Sequence, residues 1–308
     1  MTTAGDEGAK RSRGSAPRGL GTAIVTPFRE DGSLDEPGLR RLVDRQVEEG
    51  VDFVVPCGST GEAATLTEAE HVRVVAITAE QVDGRVPVVA GAGSNDTAEA
   101  VHLARAVAAV GATHTLQQAP MYNRPPQRGL LAHFRAVADA SDVPVVLYNV
   151  PSRTACNIEA DTTLALAEHP GIVAIKEASG SLAQIAAILR ARPAGFGVLS
   201  GDDPFTLPLM ALGGDGVISV IANAAPAAMA ELVRAAACGD IASARARHFA
   251  LLPLMTAAFV ESNPIPIKAA LAELGLAGAT VRSPLATLDE RYLPALRSAL
   301  REAGLLDR

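Results

Sequence analysis

Eight short apolar runs, each followed by a stretch with helical spacing or a turn, constrain this chain more than any other feature. Residues 19–28 (GLGTAIVTPF) have the β-branching of a buried strand, and EPGLRRLVDRQVEEG follows with apolar residues spaced near 3.6 positions. The alternation repeats through VDFVVPCG, VPVVAGAG and THTLQQAP, with helices predicted near residues 67–82, 97–110 and 128–140. It continues through VPVVLYNVP, IVAIKEAS, GFGVLSGDD and GVISVIAN, separated by DTTLALAEHP, SLAQIAAILRARP and FTLPLMALGG. Apolar strands alternating with helices argue for a parallel sheet covered on both faces. Closure into a (β/α)8 TIM barrel is preferred to an open doubly wound sheet, because there are eight units and no strand runs into a G-x-G-x-x-G turn. GGDG before the eighth strand is read as a helix end and a turn rather than a phosphate cradle. From residue 224 onward the pattern is helical only, near 226–237, 241–259, 265–274 and 289–303, which exceeds what closure needs. The expected organisation is α/β: a disordered leader over 1–17, the barrel over 18–223, and a C-terminal helical appendage over 224–308 that completes and flanks it.

Charge and sulfur usage narrow the function. A net charge of −7 with no basic run outside the leader disfavours a nucleic-acid groove. The six histidines never cluster and the three cysteines are widely spaced, so neither a metal nor another cofactor is expected. No apolar run reaches the ~20 residues of a membrane span, and residues 1–17 lack the apolar centre of a secretory signal. A cytoplasmic protein without membrane or nucleic-acid partners is the expectation.

Barrel chemistry sits at the C-terminal ends of strands. Lysine is scarce here, only Lys10, Lys176 and Lys268, yet Lys176 lies within the apolar run IVAIKEASG. An apolar strand is a costly place for a charge. It is either an odd core lysine, snorkelling or paired with Glu177, or an amine nucleophile that forms a Schiff base with a ketone. Alternation along the strand places Lys176 with Ala174 and Ala178, opposite Val173, Ile175 and Glu177. Two of the three tyrosines, Tyr122 and Tyr148, also occupy strand ends, and Tyr148 closes the run preceding that of Lys176. The GSTGE loop offers the hydroxyls of Ser59 and Thr60 between glycines, suited either to a small carboxylate or to capping a turn. Cys57 has no histidine base at any strand end and reads as a packed thiol. Asp202 and Asp203 read as loop solvation or capping.

In this order, GSTGEAATL, PMYNRP, LYNVPSRT, IKEASG, LSGDD, GVISV and NPIPIK resemble the dihydrodipicolinate synthase family, within the class I pyruvate aldolases that include N-acetylneuraminate lyase. The resemblance runs from about Gly19 to the C-terminus. It implies a lyase condensing pyruvate with L-aspartate 4-semialdehyde, in lysine and diaminopimelate biosynthesis. Lys176 is then the Schiff-base residue, and Tyr148, Ser59 and Tyr122 form a hydroxyl relay, with Tyr122 entering a neighbouring subunit's site. Thr60 holds the pyruvate carboxylate, Arg153 the second substrate, and Gly201 and Ile218 line the pocket. A homotetramer, a dimer of dimers, is implied as well. Arg153 favours this family over aldolases acting on sugar acids or 4-hydroxy-2-oxoglutarate, which stay open beside a catalytically silent pyruvate-binding paralogue. Three departures stand out: Ser59 replaces the usual Thr, while Met121 and Glu68 alter positions resembling a lysine feedback site, so weak lysine inhibition is expected. Gln117 and Gln118 make the fourth strand unusually polar without an evident reason.

Overall fold

The β-branched runs pair side by side as parallel strands, which a computed structural model describes over residues 15–307. They are β1 (Gly19–Ala23), β2 (Phe53–Val55), β3 (Val89–Gly91), β4 (His114–Gln118), β5 (Val145–Asn149), β6 (Ile172–Glu177), β7 (Gly197–Ser200) and β8 (Gly216–Ser219). The ladder runs β2-β1-β8-β7-β6-β5-β4-β3, and a bridge between Val54 and Val88 joins its ends. There Val54 N donates to Pro87 O at 3.0 Å and Gly91 N to Pro56 O at 2.9 Å, so the (β/α)8 barrel expected from the alternation is present.

Because side chains alternate across a strand, each strand feeds two cores. One fills the barrel interior with Phe53, Val55, Val89, Leu116, Val146, Leu199 and Ile218; the other lies between strands and outer helices. The outer layer comprises α1 (Glu36–Glu48), α2 (Glu68–Val82), α3 (Thr97–Ala109), α4 (Gln127–Ala140), the four-residue α5 (Pro151–Thr154), α6 (Ala160–Ala167), α7 (Leu182–Ala191) and α8 (Thr206–Ala211). Helix α2 starts where sequence predicts, because Thr67 and Glu70 close a capping box on each other's backbone amides. Helix α9 (Pro226–Ala237) packs on β1 and, α5 being a single turn in the loop after β5, is the eighth full helix around the barrel. Beyond it, α10 (Ile241–Ala257) packs on α9 and α12 (Leu293–Glu302), and α11 (Ile265–Glu273) packs on α12 and on the 3-10 turn after β8.

Three local expectations change. Pro151, expected to end the strand run VPVVLYNVP, instead opens α5, where it fixes the first helical φ. In β6 the pairing slips: Val145 faces Ile172 but Val146 faces Ala174, so Val173 is an extra residue. Val173 consequently packs with the interior cluster beside Ala174, not on the opposite face from Lys176 as simple alternation has it. Of the stretch expected to be a leader, residues 1–14 lie outside the described residues. The remaining three close the barrel floor: Pro17 is buried, Ala16 packs on the interior cluster, and Ser15 O lies 2.8 Å from His114 Nε2.

A chain shortened to begin at Arg18 loses that floor. It is expected to melt about 2 °C or more below one that begins at Ser15, the scale on which ~1 kcal/mol moves a domain of this size. Equal calorimetric midpoints would show that the segment contributes nothing to stability.

Candidate active site

Lys176 sits near the upper end of β6, 4% exposed, beside Tyr148 of β5 and Leu199 of β7 in the ladder. Its Nζ lies 4.2 Å from the centroid of the Tyr148 ring, a cation–π contact that partly replaces lost hydration. Room for the side chain comes from small neighbours. A Cβ on Gly201 would lie 2.6 Å from Ala178 Cβ and 3.1 Å from Lys176 Cε, so only glycine fits there. Glu177 points outward, accepting from Ser179 N at 2.7 Å and from Asn149 Nδ2 and Gln184 Nε2 at 3.1 Å. Its charge is satisfied away from Lys176.

The two buried lysines differ in a way that matters chemically. Lys268 Nζ is committed to the Glu62 carboxylate and to Thr280 O at 2.8 Å; burial lowers its pKa to about 8, against the pull of Glu62. Lys176 Nζ has no hydrogen-bond or ion-pair partner among the described residues and opens into a cavity of about 430 Å³. Ser59, Thr60, Tyr148, Arg153, Gly201 and Asp202 line the same cavity.

Each wall has a local cause. After β2 the chain folds into a tight loop in which Gly61 N donates to Gly58 O at 3.0 Å and Glu62 N to Ser59 O at 3.2 Å. Cys57 and Glu62, with φ of 54° and 52°, hold left-handed conformations at its two ends, a strain that non-glycine residues bear only when their surroundings enforce it. Arg153 is carried by α5, and its Nη2 donates to Asn263 O at 3.2 Å. Asp203 is buried and accepts from Val220 N at 3.0 Å and Ile221 N at 3.2 Å, which caps the turn after β8. Burial raises the pKa of both Asp202 and Asp203, and nearby Lys176 opposes it.

Six of the eight residues expected at the site therefore meet around one cavity. The other two do not. Ile218 is fully buried in the barrel interior and Val220, two residues on, lines the cavity. Tyr122, in the turn after β4, is 89% exposed at φ 71°, and no hydrogen bond joins it to Ser59 or Tyr148. Sequence reasoning missed Asn263, whose Nδ2 donates to Thr60 Oγ1 at 2.8 Å while its Oδ1 is buried without a partner. It also set aside Asp202, whose place in the wall follows from its position directly after Gly201. Cys57 behaves as expected: burial pushes its thiol pKa up, and its Sγ faces His71 O.

A second cavity of about 520 Å³ shares Ser59, Tyr148 and Arg153 with the first and extends to Glu68, His71, Asn95, Glu99 and Met121. Gln118 lines it, with its Nε2 on Gly93 O at 3.0 Å, which accounts for one of the two strand glutamines. Nothing in the structure explains Gln117, whose buried amide has no partner.

Residues 16–303 match the pattern of the dihydrodipicolinate synthetase family. This chain belongs to that family. A 4-hydroxy-tetrahydrodipicolinate synthase of Koribacter versatilis is 51% identical over 94% of this chain and 97% of its own length. A solved family member from Acinetobacter baumannii, a chloride-inhibited dihydrodipicolinate synthase complexed with pyruvate, superposes with a TM-score of 0.93 at 42% identity, covering 94% of this chain and all of its own. A monomeric dihydrodipicolinate synthase variant matches with a TM-score of 0.92 at 41% identity over 94% of this chain and 97% of that one. In keeping with its family, the chain is a lyase.

Gly201→Ala tests the space around the lysine. The added methyl is expected to displace the Lys176 side chain and to slow its covalent capture of an α-keto acid at least ~10-fold, as misplacement of a reacting group does. Unchanged capture, followed by borohydride trapping and mass spectrometry, would refute the crowding argument.

Proposed function

We propose that this protein condenses pyruvate with L-aspartate 4-semialdehyde, giving 4-hydroxy-tetrahydrodipicolinate for lysine and diaminopimelate biosynthesis. The observation that carries the mechanism is Lys176: a buried amine with no hydrogen-bond or ion-pair partner among the described residues, opening into a cavity that also holds a phenol, two hydroxyls and an arginine. The amine attacks the pyruvate C2 carbonyl and expels water to form an imine, and loss of a C3 proton then gives an enamine. The enamine carbon adds to the semialdehyde carbonyl. The second substrate's amino group then attacks the imine carbon, which closes the ring and frees Lys176.

Tyr148 carries the protons of these steps, since its ring lies against the amine and a phenol can both give and take a proton. Thr60 and the loop amides around Ser59 receive the pyruvate carboxylate, and Arg153 receives the carboxylate of the semialdehyde, a planar anion suited to a guanidinium. Gly201 and the backbone near Ile218 shape the pocket. Ser59 and Tyr122 extend the relay once subunits assemble. The exposure of Tyr122 supports a homotetramer, a dimer of dimers, in which it completes a neighbour's site. No helix among the described residues is long and apolar enough to cross a membrane, in keeping with a cytoplasmic enzyme. The barrel and its helical appendage act as one catalytic unit divided near residue 223.

Borohydride reduction with pyruvate, followed by peptide mapping, is expected to label Lys176; a label on Lys268, or none, would sink the mechanism. In a panel of aldehydes the semialdehyde is expected to react fastest, and no turnover with it would assign the enzyme to another pyruvate aldolase reaction. Tyr148→Phe is expected to lower kcat by about 10²-fold or more, as removal of a general acid–base does. An unchanged rate would remove Tyr148 from proton transfer.

A further inference from the structure

The strained end of the loop after β2 is held from outside the barrel. Glu62, at φ 52°, is a residue whose conformation needs enforcing. Both oxygens of its buried carboxylate are engaged: Oε1 by Lys268 Nζ of α11, and Oε2 by Arg282 N at 3.0 Å. Lys268 is itself held by Thr280 O, and its Nζ lies 4.2 Å from the Phe28 ring centroid, with the Arg282 guanidinium 4.3 Å from the same ring. Arg282 also reaches Gly32 O at 2.8 Å and Thr65 O at 2.9 Å, which fixes the far side of the loop. Just before α11, Asn263 binds Thr60 through its side chain and Arg153 through its carbonyl. One C-terminal segment therefore grips the loop at Thr60 and at Glu62 and touches the arginine after β5. A buried ion pair adds little net stability relative to apolar packing, so stability alone is a weak reason for this one.

We propose that Glu62 and Lys268 are positioning residues for the reaction: their buried pair locks the loop after β2 in its strained form and thereby sets its affinity for the pyruvate carboxylate. This rests on the reading that the loop binds pyruvate. Neither residue touches substrate; the effect passes through Thr60 and the loop amides. Losing the lock weakens capture of pyruvate and leaves the later carbon–carbon step largely intact.

Glu62→Gln and Lys268→Met, alone and combined, test this, with thermal midpoints measured alongside kinetics. Each single variant is expected to raise the pyruvate KM about 10-fold or more with kcat reduced less than about 3-fold, the signature of lost substrate binding. The aldehyde KM should stay within about 2-fold, and the fraction of Lys176 trapped by borohydride at low pyruvate should fall in step with the KM. The double variant leaves no charge unpaired, so it should regain thermal stability while keeping the raised pyruvate KM. If it regains the wild-type KM together with its stability, the pair is merely structural and the proposal fails. Where a single variant does not fold, the double variant alone decides, by the same criterion. Wild-type protein that does not trap pyruvate would sink the functional reading and this proposal with it, whereas normal wild-type trapping with unaltered variants sinks the proposal alone.

Discussion

A lysine inside a barrel needs room along its stem and something better than hydrocarbon at its head, and this site is arranged around that need. Gly201 and Ala178 clear the volume, the face of Tyr148 receives the ammonium, and Asp202 stands in the wall of the same cavity. Glu177, adjacent in sequence, is removed by the pleat of the strand and neutralised by amides and side-chain donors on the outer face. The amine is thus solvated well enough to be tolerated and left free enough to react.

The chain spends its few lysines in two opposite ways. Lys268 is fully coordinated by a carboxylate, a carbonyl and an aromatic ring, so it has nothing left to offer a substrate. Lys176 has, among the described residues, a ring face and no hydrogen-bond or ion-pair partner. Burial alone does not separate the two, since both are nearly sealed from solvent; the difference lies in what surrounds each nitrogen.

Most of the fold was legible in the sequence, because strand and helix periodicities are local properties and eight strands alternating with seven helices leave few architectures open. The small residues Ala174 and Ala178 beside Lys176 were legible for the same reason, whereas Gly201 entered through the family resemblance. Three features were not. The slip at Val173 belongs to the pairing of two strands, which no single stretch encodes. Asn263 meets Thr60 across 203 positions, and its motif NPIPIK was visible without any indication of where α11 would dock. Ile218 entered through the family resemblance alone, and which of Ile218 and Val220 would line the cavity is decided by the turn after β8, which the motif GVISV does not carry. Tyr122 is a different case: its place after the fourth strand was legible, yet its side chain stands exposed and makes no hydrogen bond to Ser59 or Tyr148.

The extra residue at Val173 has a further consequence for how such a barrel can change over time. Below it, Ile172 faces the helices; above it, Lys176 faces the cavity, and an uninterrupted pleat could not satisfy both. The bulge acts as a phase buffer between the foot of the strand, which answers to packing, and its head, which answers to chemistry. Drift in length or register at the foot can be absorbed there before it rotates the nucleophile out of its site.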